Sequence, residues 1–201
     1  MHMTEKQKML SGALYDSSDH ELTERRVNAH KLCKLYNDTF EDETETRMAI
    51  LNELIPNQGA NLFIQGPVYF DYGTFTTFGD NFYANFNFTV LDCAPVMIGN
   101  DVFIGPNVTI ATPVHPLCYQ ERNMRKKKDG SLYDMEYAKP VTIGSNCWIA
   151  SNVTIAGGVT IGEGCVIGAG SVVTKDIPAG SLAVGNPCRV LREITEDDRM
   201  E

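Results

Sequence analysis

From Ile143 onward an aliphatic side chain recurs at every sixth position, at Ile143, Ile149, Ile155, Ile161, Ile167 and Val173. Four residues after each stands a small or medium one: Cys147, Val153, Val159, Cys165, Ser171 and Ile177. Strand alternation puts both positions inward and the residue between them outward, so that Cys147 and Ile149 face in and Trp148 faces out. Glycine or alanine commonly follows the aliphatic residue, as in "IGSNCW" and "IAGGVT", at a bend where a Cβ is unwelcome. Segments this short bury no face alone and must stack as rungs of a parallel β-helix; three hexads to a coil make its section triangular. The competing sandwich with Gly-rich turns does not yield six consecutive repeats in register.

The register runs backward through Ile110, Ile104 and Ile98, and more loosely through Val90, Ala84 and Phe78 to Phe70 and Ile64. The spacing is eight between Phe70 and Phe78 and between Val90 and Ile98, and thirty-three between Ile110 and Ile143. Grouped three to a coil, all these insertions fall at one corner. Residues 112–140 are therefore expected to form a long loop on that edge. It carries His115, the only histidine of the solenoid region, in a backbone that Pro116 biases toward an extended conformation. Histidine is the side chain whose ordinary pKa best suits a general base at neutral pH.

The first 57 residues read as a helical cap over the open first coil, whose strand edge would otherwise be exposed. Thr4 and Gln7 have capping-box spacing. Leu22, Val27, Leu32 and Leu35 have helical or near-helical spacing, and Pro56 and Gly59 end a third helix. Residues 58–178 form the solenoid and 179–201 a tail that leaves it after Val173. His20 and His30 are assigned to surface or packing roles, and the run Lys126-Lys127-Lys128 to a solvated loop.

The net charge of -9 argues against a nucleic-acid partner. No apolar run approaches the roughly 18 residues of a membrane span. Met1-His2 ahead of Met3 reads as a cloning remnant, and the charged N-terminus lacks the apolar stretch of a signal peptide. The six cysteines show no metal-like spacing and read as free thiols in a reducing compartment, which implies the cytoplasm. Cys147 and Cys165 fall on inward positions, where packing explains them.

The cap "EKQKMLSGALYD", the segment "NFYANFNFTVLD", the histidine in "ATPVHP", the stretch "KPVTIGSNCWIA" and the ending "GAGSVVTKDIPAGSLAVGNPCRV" together resemble the maltose/galactoside O-acetyltransferase family. The resemblance implies an all-β, left-handed parallel β-helix of hexapeptide repeats. It further implies a homotrimer with acetyl-CoA sites between subunits, and acetyl transfer to a sugar hydroxyl without a required metal. On the family pattern His115 is the general base, and the acceptor is held by Arg26, Asp71, Tyr83, Asn85, Asp92 and Glu136. The coenzyme falls to Trp148, Ser151, Ala169, Thr174, Lys175, Arg189 and Arg192, with Gly168 and Ala169 allowing close approach of the pantetheine arm. The chain departs from galactoside-using members, which can carry Asp at the positions of Ser17 and Cys93 and Ser at that of Asp71.

Three rival readings remain. A xenobiotic O-acetyltransferase uses the same scaffold, but the sugar-family cap argues against it. A metal-dependent carbonic anhydrase needs several histidines at one site, and His115 has no histidine partner in the solenoid. A non-catalytic or ice-binding solenoid would present a flat array of outward threonines. The outward positions Trp148, Thr154 and Val166 suggest none.

Overall fold

The hexads become three parallel sheets that wrap into a prism. The structure is a computed structural model that describes residues 3–200, so the Met1-His2 pair lies outside the described residues. The first face stacks Phe63–Ile64, Tyr83–Ala84, Phe103–Ile104, Trp148–Ile149, Val166–Ile167 and Ser181–Val184. The second stacks Val68–Phe70, Phe88–Leu91, Thr109–Ala111, Thr154–Ala156 and Val172–Val173, and the third Thr76–Phe78, Val96–Ile98, Val141–Ile143 and Thr160–Ile161. The chain visits the faces in that order, coil after coil.

Inward residues pair in file. On the third face Phe78, Ile98, Ile143 and Ile161 stack in register, and on the second Phe70, Val90, Ile110, Ile155 and Val173 do. All are buried. Each such side chain stabilises the fold by roughly 1.5–3 kcal/mol through removal from water. Cys147 and Cys165 are buried among them. Every insertion does fall at one corner, between the second and third faces.

The corner glycines act through crowding. A Cβ on Gly99 would lie 2.5 Å from the Ser145 amide nitrogen, in the next coil. The left-handed backbone at the other turns is carried largely by Asn61, Asn81, Asn87, Asn107, Asn146 and Asn152, with φ between 57° and 61°. Asparagine tolerates that region, and its amide then reaches along the stack: Asn87 donates to Asn107 at 2.9 Å, and Asn107 to Asn152 at 3.1 Å.

The N-terminal segment forms α1 (Glu5–Ser11), α2 (His20–Asn37) and α3 (Thr44–Leu54), and Thr4 and Gln7 make the expected capping box. These helices bond the open edge of the first coil. Tyr36 donates its hydroxyl to the Ile64 carbonyl at 2.5 Å, and Arg47 Nη2 donates to the same carbonyl at 2.7 Å. The Asn37 amide both donates to and accepts from the Val68 backbone. Strand groups that water would otherwise have to satisfy are thereby paired.

The helix expected from Leu22, Val27, Leu32 and Leu35 is present as α2; its buried stripe is Leu22, Ala29, Leu32, Cys33 and Tyr36, and Val27 and Leu35 lie on the exposed side. The structure corrects two expectations. The solenoid does not end at Val173. Ile177 bridges Ile161, Ser181–Val184 continues the first face, and Arg189–Glu193 folds back antiparallel upon it. Finally, threonines do line up outward: Thr89, Thr109 and Thr154 are in register on the second face, and Thr142 pairs with Thr160 on the third. The second-face column is a single file ending at Tyr69 and Val172, narrower than a flat array.

Candidate active site

The long loop is tied to both the prism and the cap. Pro113–Val114 pairs antiparallel with Met135–Ala138, and the other edge of that strand pairs with Tyr15–Asp16. Val114 stands opposite Tyr137, so the next rung sets His115 beside Glu136. His115 Nε2 lies 3.7 Å from Glu136 Oε2, inside ion-pair range and beyond hydrogen-bond length.

Glu136 is held from behind. Tyr15, fully buried, donates its hydroxyl to Oε1. Burial pushes the Glu136 carboxyl above its usual range, against the Tyr15 hydrogen bond and the His115 charge, which pull it down. Burial likewise raises the Tyr15 phenol far above its ordinary value, so it remains a donor. Asp134, two residues before Glu136, accepts from Ser17 Oγ at 2.7 Å, and Asp16 pairs with Lys127 at 2.6 Å.

The same corner one and two coils earlier contributes the next groups. Cys93 Sγ donates to Asp71 Oδ2 at 3.5 Å, and His30 Nε2 approaches Asp71 Oδ1 at 3.6 Å. Arg26 donates to the Tyr72 hydroxyl at 3.1 Å and to the Ser17 carbonyl at 3.4 Å. Asp71 and His30 border a groove of about 410 Å³ between α2 and the second face, with Cys33, Lys34, Tyr69 and Leu91 also in its wall.

Asp92 does not fit the acceptor role. It is fully buried and accepts from the Tyr72 amide at 2.8 Å, the Phe75 amide at 3.3 Å and Thr76 Oγ1 at 3.1 Å. Those bonds fasten the two-residue insertion of the coil before it. Burial pushes its carboxyl up to about 6 although the Tyr72 and Gly73 amides and the Thr76 hydroxyl favour the charged form.

The remaining candidates lie elsewhere on the prism. Tyr83, Asn85, Trp148 and Ser151 surround a shallow pocket of about 260 Å³ with Phe103 and Pro106. It sits on the first face, across the prism from the corner that carries His115. Tyr83, Phe103 and Trp148 stand in one outward file continued by Val166 and Leu182. Trp148 is 53% exposed, an unusual place for a lone tryptophan with nothing over it. Asn85 donates to the Tyr83 hydroxyl at 3.3 Å. Ala169 is exposed at the adjoining corner, and a Cβ on Gly168 would meet Val184 Cγ1 at 2.6 Å.

The three basic candidates are not one cluster. Thr174 and Lys175, both exposed, follow Val173 at the insertion corner. Arg189 and Arg192 lie on the antiparallel strand appended to the first face. Arg192 is already engaged by Asp198 in a two-pronged pair, 2.6 and 2.7 Å, which holds the Asp198 carboxyl down to about 2. One chain thus unites His115, Glu136, Asp71 and Arg26, and sets Tyr83, Asn85, Trp148, Ser151 and Ala169 apart from them.

Tyr15, Asp134 and His30 were missed by sequence reasoning. Tyr15 and Glu136 are 121 residues apart, and only the pairing of the cap strand with the loop strand joins them. His30, assigned above to surface or packing, borders the groove beside Asp71. Asp134, His115 and Glu136 bring three potential ligand atoms within 4.8 Å of one another.

Comparison with known proteins follows the same division of the chain. Residues 8–59 match the maltose acetyltransferase hexapeptide capping motif, residues 95–115 the hexapeptide repeat of succinyl-transferase, and residues 140–175 the bacterial transferase hexapeptide in six repeats. The galactoside O-acetyltransferase of Escherichia coli strain K12 is 42% identical over 99% of this chain and 94% of its own. A maltose O-acetyltransferase from Clostridium difficile 630 superposes with a TM-score of 0.89 at 46% identity, covering 96% of this chain and 99% of that one. A galactoside acetyltransferase solved in complex with coenzyme A gives 0.89 at 41%, covering 98% and 94%. With matches at this identity that cover nearly the whole chain, the chain belongs to the maltose/galactoside O-acetyltransferase family of hexapeptide-repeat acyltransferases.

Proposed function

We propose that the protein transfers the acetyl group of acetyl-CoA to a hydroxyl of a sugar, with His115 as general base. The observation that carries this reading is the His115–Glu136 pair. An imidazole half open to solvent faces a buried carboxylate at 3.7 Å, and the carboxylate is itself anchored by Tyr15. The imidazole removes the proton of the acceptor hydroxyl as its oxygen attacks the thioester carbonyl. Glu136 stabilises the imidazolium so formed, as the buried carboxylate does in a catalytic triad. Collapse of the tetrahedral intermediate breaks the carbon–sulfur bond, and the imidazolium returns the proton to the departing coenzyme thiolate. Bound coenzyme A in a galactoside acetyltransferase 41% identical to this chain supports the choice of donor.

The acceptor's hydroxyls are met by Asp71 and Arg26 beside His115. Tyr83 and Asn85, with the coenzyme residues Trp148, Ser151, Gly168 and Ala169, come from the first face of a neighbouring copy. That reading explains why one prism carries two half-sites on opposite sides. Threefold closure of such heterologous contacts makes a homotrimer with three complete sites, and it covers the exposed file of Phe103 and Trp148. Lys175 of one copy then joins Arg189 of the next around the coenzyme phosphates. Thiol release from acetyl-CoA, measured with maltose, glucose, a galactoside and chloramphenicol as acceptors, tests the assignment. Release stimulated by a sugar supports it; release stimulated by chloramphenicol alone would replace the sugar with a xenobiotic hydroxyl.

A further inference from the structure

We infer that His115, Asp134 and Glu136 form a binding site for a divalent transition cation, with Zn²⁺ as the best-suited occupant, and that the bound cation inhibits the enzyme. The inhibition rests on the reading of His115 as the base; the binding does not.

Each of the three residues offers one donor atom, and these atoms lie within 4.8 Å of one another. Donors around tetrahedral zinc at bonds of about 2.0–2.2 Å stand roughly 3.3–3.6 Å apart, so the widest of these separations would have to close by about 1.2–1.5 Å to complete the contacts. His115, with its side chain 47% exposed, has the freedom to make that shift. The two carboxylates are already oriented. Glu136 Oε1 is occupied by Tyr15 and Asp134 Oδ1 by Ser17. Hydrogen bonds to ligating carboxylates orient them in metal sites. Glu136 is only 9% exposed, and its Oε2 accepts no hydrogen bond among the described residues while pointing at the imidazole.

The donor set selects the ion. One imidazole and two carboxylates suit Zn²⁺ or its neighbours, whereas Mg²⁺ and Ca²⁺ favour oxygen alone and Cu(I) favours sulfur. Two carboxylates and a neutral imidazole also balance a double positive charge, which lessens the cost of burying either carboxylate unpaired. The consequence for turnover is direct. The lone pair on Nε2 that would take the acceptor's proton is the one that would bind the metal, so cation and acceptor exclude each other.

The test uses the full chain, treated with chelator and carrying Cys118→Ser, because Cys118 is the one exposed thiol and would otherwise compete. Calorimetric titration with ZnCl2 should show one saturable site per chain. Zn²⁺ should inhibit acetyl transfer, and raising the acceptor concentration should relieve that inhibition. Asp134→Asn, measured against its own zinc-free rate, should need at least tenfold more Zn²⁺ for half-saturation and for half-inhibition. His115→Ala should lose the calorimetric signal. No saturable binding, or binding unchanged in Asp134→Asn and in His115→Ala, overturns the proposal. Should the protein show no transfer to any acceptor, the calorimetry still decides the metal site, so failure of the functional reading and failure of this one remain distinct.

Discussion

Tyr15 and Glu136 face each other across an antiparallel rung that joins the cap to the loop, and the phenol donates to Oε1 while Oε2 is left toward His115. The cap therefore does more than close the prism, because it supplies the anchor of the carboxylate behind the proposed base. In Tyr15→Phe that donor is lost. A hydrogen bond to a charged group is worth about 1.5–3 kcal/mol, so turnover should fall by up to roughly ten- to a hundredfold. The Tyr15 bond lowers the Glu136 carboxyl pKa, and without it the pKa rises further. Because Glu136 would then take up its proton at a higher pH, the acid limb of the kcat/KM profile should move upward. A smaller kcat with an unmoved acid limb would mean that Tyr15 only packs.

Removing the base itself should act on chemistry alone. His115→Ala should lower kcat by roughly 10²- to 10⁴-fold, the size of a general-base contribution. Its half-exposed side chain leaves no core cavity, so the melting temperature and acetyl-CoA binding should stay near those of the parent. Near-normal turnover in a preparation free of parent enzyme would assign the proton transfer to another group.

The division of the candidate site between two sides of the prism yields a complementation experiment. His115→Ala and Tyr83→Ala should each be nearly inactive alone. Refolded together they should regain a substantial part of the parent activity, since a mixed trimer holds some sites with both halves intact. Sedimentation should give a trimer. Activity in a monomer, or no gain on mixing, rejects the shared site.

Asp92 gives a stability prediction with a definite sign. Its carboxyl sits at about 6 in the fold, against roughly 3.9 for a free Asp. Between those values the native state binds more protons than the unfolded state, so the contribution of Asp92 to stability falls as pH rises from about 4 to 6 and is constant above. Asp92→Asn should remove that slope from a urea-unfolding series. It should also cost about 1–3 kcal/mol, because an amide NH2 must now face the Phe75 amide or the Thr76 hydroxyl, leaving a donor unpaired. An unchanged slope would mean that the three donors outweigh the burial.

How much of this was legible in the sequence depended on distance along the chain. The prism was legible because Ile143 to Val173 repeat without interruption, and the edge of the His115 loop followed from where extra residues collect. The outward threonine file was not legible. Thr109 and Thr154 belong to consecutive coils but are separated by the whole loop, so no local window aligns them. The acceptor and coenzyme positions came from family resemblance, which named Asp92 along with Asp71. Only three-dimensional burial separates the corner fastener from the side chain that faces the groove. Nor could spacing have revealed that Arg192 is already paired, since Asp198 lies beyond the last rung in the terminal 3-10 turn.

That pairing sets the last prediction, which concerns the coenzyme phosphates. Lys175 and Arg189 are exposed and make no ion pair among the described residues, whereas Arg192 is held by Asp198 at 2.6 Å. A charge-assisted hydrogen bond is worth about 1.5–3 kcal/mol, and screening by salt reduces it where the contact is exposed. Lys175→Ala and Arg189→Ala should therefore raise the KM for acetyl-CoA by up to roughly ten- to a hundredfold and leave the sugar KM alone. Arg192→Ala should do less, because the coenzyme would have to displace Asp198 to recruit that guanidinium. By the same reasoning Asp198→Ala, which frees Arg192, should lower the KM for acetyl-CoA or leave it unchanged. Acetyl-pantetheine provides the control, since it lacks the nucleotide: each base variant should match the parent with this truncated donor. Equal impairment with both donors would show that these bases hold the fold of the tail, and that the phosphates are met elsewhere.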